Sequence, residues 1–176
     1  METKLKRFLI YTGTFLICFL LQTSVFEFFQ LAHIRPNILL IFVVSFAFMR
    51  GQKVGLVLGF ITGLCLDILY GRIIGPYCLL FMYMGYISGY YNRLFYKEEI
   101  LLPLILTAVN DLVYGLVIYF VFFLLQNKLN FLSYFVSTML PEMIYTILVS
   151  LILYRIFLFI NSHLDRDAKG VSSNVI

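Results

Sequence analysis

A stripe of small residues runs through an otherwise apolar stretch of this chain. Gly51, Gly55, Gly59 and Gly63 recur at four-residue intervals and lead to a carboxylate, Asp67, with Gly71 four residues further on. In a water-soluble helix each glycine costs about 1 kcal/mol relative to alanine, so four together would weaken the helix that carries them. Within lipid the balance shifts, because a missing side chain lets a neighbouring backbone approach closely. The stripe therefore points to a membrane helix packed tightly against another, with Asp67 at a crowded helix junction.

Composition supports the membrane reading. Of 176 residues, 62% are hydrophobic and only 12% charged, against about 25% charged in ordinary soluble domains. Six apolar segments can be drawn, over residues 8–26, 34–49, 54–70, 73–91, 100–125 and 134–160. Lys4, Lys6 and Arg7 precede the first, as in a signal peptide, but its apolar run is too long and no small-residue cleavage site follows. It is expected to be a retained anchor. The second is short, with a core of Asn37 to Met49. Extending it back to Ile34 uses the tolerance of a first helical turn for proline, here Pro36, and local bilayer thinning absorbs the rest. The expected fold is an all-α, polytopic integral membrane bundle of about six transmembrane helices, forming one domain over residues 1–176 with a tail from 161 to 176.

Charge placement sets the orientation. With the N-terminus in the cytoplasm, Lys4, Lys6, Arg7, Arg50, Lys53, Arg93, Lys97, Arg155, Arg166 and Lys169 fall inside, and Arg35, Arg72 and Lys128 outside. This positive-inside bias requires the short second segment to cross, and it puts both termini in the cytoplasm. Basic residues scattered at span ends are a topology signal rather than a phosphate-binding surface, so no nucleic-acid partner is expected. Tyr83, Tyr86, Tyr90 and Tyr91 crowd the inner end of the fourth span, where amphipathic rings form an interfacial belt.

Three acids lie within spans: Asp67, Asp111 and Glu142. A carboxylate at that depth costs several kcal/mol unless it finds a partner, water or a proton. Two readings compete. In one, the acids converge on a substrate or proton pathway; in the other, each is tied structurally to Arg72, Asn110, Asn92 or a free backbone group. Glu142 follows Pro141, which frees a carbonyl and favours a kink. Asp67 is followed by Gly71, Arg72 and Gly75, a cluster placed to shape an outward-facing surface for a partner.

The glycine stripe has two readings as well, packing within the monomer or contact with another protein. Four residues advance a helix by about 40°, so the stripe is a shallow spiral that suits an obliquely crossing helix over two or three steps. Gly85 and Gly89 offer a complementary pair on the next helix.

Signatures of common enzymes are missing from the sequence: it has no P-loop, no G-x-S-x-G and no H-E-x-x-H. Cys18, Cys65 and Cys78 lack metal-ligand spacing and read as packing residues. His33 and His163 fall at opposite faces and read as surface residues. No catalytic residue, metal or cofactor is assigned.

The strings R35-P36-N37-I38-L39-L40, R50-G51-Q52-K53-V54-G55 and G59-F60-I61-T62-G63-L64-C65-L66-D67, followed by Gly75, resemble the rod shape-determining protein MreD family. Length, number of spans and short tails extend the resemblance over nearly the whole chain, while residues 35–75 carry its most specific part. The resemblance implies a bacterial inner-membrane, multi-pass scaffold of the cell-elongation machinery with no catalysis of its own. It implies MreC as partner, within one assembly that includes the MreB filament, the RodA glycan polymerase and a penicillin-binding transpeptidase. By analogy, Pro36, Gly63, Asp67 and Gly75 would shape the bundle and the surface offered to MreC. The family is also similar in architecture to the substrate-capture subunits of energy-coupling-factor vitamin transporters. That similarity makes small-molecule capture the competing expectation.

Overall fold

A computed structural model describes residues 2–25, 35–71, 74–94, 100–123 and 131–173. Six helices account for most of them: α1 (Glu2–Leu20), α2 (Ile38–Arg50), α3 (Gln52–Tyr70), α4 (Pro76–Tyr90), α5 (Leu101–Ile118) and α6 (Leu140–Ser173). No strand occurs among the described residues. Three helical stretches, Gln52–Tyr70, Leu101–Val121 and Phe131–His163, are long and apolar enough to cross a membrane. Their outward faces carry large apolar side chains such as Val57, Ile105 and Ile152, as suits a protein whose solvent is hydrocarbon.

The short second segment becomes the centre of the molecule. Every residue of α2 from Ile38 to Met49 is buried, and α1, α3, α4, α5 and α6 all pack against it. A helix apolar on nearly every side belongs in a core, and its hydroxyl residue, Ser45, is buried with the rest. Phe42 and Phe46 meet at a tilt within the helix, 5.0 Å between ring centroids. Phe157 of α6 meets Phe46 at 5.3 Å, and Tyr11 of α1 meets it edge-on at 5.2 Å.

Protein groups satisfy both ends of α2. Asn37 is the N-cap, its Oδ1 accepting the Leu40 N–H at 3.2 Å, an arrangement in which a side-chain oxygen takes up an orphan donor of the first turn. Gln22 Oε1 accepts the Leu39 N–H at 2.8 Å. At the other end Asn92 Nδ2 donates to the Phe48 carbonyl at 2.7 Å. The expected extension of this helix through Pro36 is therefore corrected: Asn37 caps the helix, which starts at Ile38 and leaves Pro36 outside. Ile34 lies outside the described residues.

Gly51 alone joins α2 to α3. Its φ of +93° is open to glycine and strained for other residues, and it lets the chain reverse within one residue. Further along, the proline-induced irregularity expected near Glu142 is a π-helical turn over Phe135–Met139 that runs directly into α6. An extra residue in the turn ahead of Pro141 relieves the clash a proline ring makes with the carbonyl four residues earlier. Gly115 of α5 faces this turn, and a Cβ there would lie 2.8 Å from Met139 Cε. The helix then continues to Ser173, so residues 161–173, expected as part of a tail, extend it.

Candidate functional site

The α3–α4 pair makes the most extensive helix contact among the described residues, and the glycine stripe is the reason. A Cβ on Gly55 would overlap the Gly85 carbonyl oxygen, and one on Gly59 would overlap that of Phe81. A Cβ on Gly63 would lie 2.5 Å from Cys78 Cα, and one on Gly89 would lie 2.5 Å from the Gln52 nitrogen. Each step of four residues up α3 is matched by four residues back along α4. At Gly55, Gly59 and Gly63 the hydrogen that stands in place of Cβ points at a main-chain carbonyl of α4, the arrangement of weak Cα–H···O bonds.

The 40° drift per step limits close contact between straight helices to two or three steps, and Gly55, Gly59 and Gly63 span two. At the ends Gly51 is the N-cap of α3, and Asp67 reaches α4 through its side chain. Both helices present the same four-residue spacing, so successive glycines of α3 meet successive turns of α4.

Asp67 closes the seam. It is 1% exposed, and its carboxylate accepts the Tyr77 N–H on Oδ1 at 3.1 Å and the Cys78 N–H on Oδ2 at 2.8 Å. Those donors belong to the first turn of α4, which begins at Pro76 and has no cap from its own N-cap residue, Gly75. The partial positive charge of a helix N-terminus suits an anion, so α3 supplies the cap that α4 lacks. Gly75 takes φ +129° with nothing within 4 Å of a built Cβ, so the turn needs its conformation rather than its small size. Gly71 follows directly as the C-cap of α3, its N–H donating to the Asp67 carbonyl at 3.0 Å. Arg72 lies outside the described residues.

The other two acids form a second cluster. Asp111 is buried among Thr146 and Asn37, whose side chains hydrogen-bond its carboxylate, and Glu142 lies within electrostatic reach of it. Its Oδ1 is buried without a hydrogen-bond partner. Thr146 Oγ1 also accepts the Asn37 N–H at 3.2 Å, so the group fixes the start of α2 against α6. Tyr114 sits within electrostatic reach of Tyr77, Glu142, Asp111 and Tyr134, with its ring 6.4 Å from that of Tyr77. The structure thus brings Asp111 and Glu142 together and joins them, through Tyr114 and Tyr77, to the α4 turn that Asp67 caps.

The partners named from sequence are otherwise distributed. Asn110 Nδ2 donates to Ser88 Oγ at 3.1 Å and to its own helix at Leu106, and Asn92 serves α2. Sequence reasoning missed Asn37 and Thr146 as partners of Asp111. Signals for both were present: Asn37 stands where an N-cap stands before an apolar run, and Thr146 lies one turn from Glu142 on the same face.

The architecture defines a class: a helical membrane protein whose polar interior residues are spent on joining helices. Within that class, the chain matches the family model described as rod shape-determining protein MreD over residues 2–162. It belongs to the MreD family, a membrane family that determines rod shape and is not known as an enzyme family. Comparisons with curated proteins and with solved structures returned no match.

Proposed function

We propose that this protein is a multi-pass, non-catalytic scaffold of the bacterial inner membrane. In this reading it helps to maintain rod shape by holding peptidoglycan synthesis in place through MreC, in an assembly with the MreB filament, RodA and a penicillin-binding transpeptidase. Family membership over residues 2–162 is the observation that carries it. The disposition of the acids supports it: Asp67 binds backbone amides, and Asp111 lies among side chains that lock α2 to α6. Small-molecule capture is the competing reading, and α2 weighs against it. Its side chains fill the middle of the bundle, so a ligand held among all the helices would have to displace them.

Depletion in the native rod-shaped host, with copurification from mildly solubilised membranes, tests the proposal. The scaffold reading expects rounded or swollen cells and recovery of MreC with the protein. Rod-shaped depleted cells that have lost uptake of a vitamin, together with a rise in melting temperature when that vitamin is added, would establish capture instead.

A further inference from the structure

A groove of about 580 Å³ runs between α1 and α3, apart from the seam and the acid cluster. Phe8, Tyr11 and Phe15 line one wall, and Val57, Leu58 and Ile61 the other. A smaller depression of about 200 Å³, between Phe19 and Ile68, continues its line. Low-numbered residues of α1 oppose low-numbered residues of α3, so the two helices run parallel and their N-terminal ends lie together. From Phe8 to Phe19 the groove follows about 17 Å of helix. That is close to the depth of one leaflet of a ~30 Å hydrocarbon layer.

One end of the groove carries a cation. Lys53 lines the groove there and is exposed. Lys4, Lys6 and Arg7 occupy the first turns of α1 at that same end, with Glu2 as the acid among them. An apolar channel one leaflet deep with a lysine at the end where α1 begins matches an acyl chain below an anionic headgroup, and basic pockets between helices take such headgroups. We propose that the α1–α3 groove is a binding site for an anionic phospholipid of the leaflet that holds the N-terminus of α1.

The full-length protein, purified in detergent, would be incubated with mixed micelles of phosphatidylglycerol or phosphatidylethanolamine and examined by native mass spectrometry. The expected result is preferential retention of phosphatidylglycerol, reduced about fivefold by Lys53→Gln. Val57→Phe, which fills the groove and leaves every charge in place, should reduce it as well. Arg93→Gln removes an exposed cation away from the groove and should leave retention unchanged. Equal retention of the two lipids would overturn the proposal, as would equal losses in the Lys53 and Arg93 variants, which indicate bulk charge. Crosslinking from position 57 that captures a protein helix in place of lipid would also overturn it. Unfolding midpoints of the variants, read beside the retention, separate loss of a site from loss of the fold.

Discussion

Asp67 Oδ2 accepts the backbone N–H of Cys78 at 2.8 Å, so the last turns of α3 cap the first turn of α4. A carboxylate that sequence marks as an expense in lipid is thereby matched to a helix terminus that would otherwise bury unsatisfied donors. Each element resolves the cost of the other.

Replacement of Asp67 by alanine is predicted to destabilise the protein by about 3 kcal/mol, since it leaves buried donors unmet. Asp67→Asn keeps one acceptor oxygen and should cost less, while its amide group cannot accept the second N–H. Unfolding midpoints in detergent should rank wild type above Asn and Asn above Ala.

Two glycines should respond oppositely to alanine. Nothing lies within 4 Å of a Cβ built on Gly13, so Gly13→Ala should be neutral or stabilising by up to about 1 kcal/mol through helix propensity. At Gly59 the new methyl meets the Phe81 carbonyl, and main chain cannot swing aside. Gly59→Ala should lower the unfolding midpoint, and Gly59→Leu or Gly63→Leu should abolish both the α3–α4 packing and complementation of a depleted strain. Normal folding of the leucine variants would contradict a seam held by main-chain contact.

Asn37→Ala removes the cap of α2 and a partner of Asp111 together. Loss of a cap alone costs about 1 kcal/mol, so a larger loss is expected. A double-mutant cycle with Thr146→Val should show coupling of about 0.5 kcal/mol or more, because both residues serve the same carboxylate. Additivity would place them in separate networks.

Hydropathy made the helices legible to within a few residues at most ends, since apolar runs of the required length have few alternatives in this composition. It did not place α2 within the bundle. Residues 38–49 are legible as a short segment, and their apolarity at every position but Ser45, the mark of a helix surrounded by protein, is the signal of a central place. The glycine spacing exposed the α3 face and the Gly85–Gly89 face of α4. It could not reveal how closely the two main chains approach, because that depends on how both repeats combine. A free backbone group was among the partners expected for Asp67, but which amides it takes was not legible, because every residue except proline possesses one. Asn37 and Thr146 are 109 positions apart, a separation at which local pattern says nothing of pairing.

The burial of α2 has a consequence for biogenesis. A helix of 13 residues reaches about 20 Å, too short to lie comfortably alone across a ~30 Å layer, and its ends are held by Asn37, by Gln22 just past α1, by Asn92 just past α4 and by Thr146 of α6. It is joined to α3 through Gly51 alone, so the natural unit to leave the insertion machinery is the α2–α3 hairpin. The partners of α2 from α4, α5 and α6 all follow that hairpin in the chain. Completion of the centre therefore waits on α6, whose Thr146 and Phe157 meet the α2 segment, and this ties the quality of the whole bundle to a helix far along the chain.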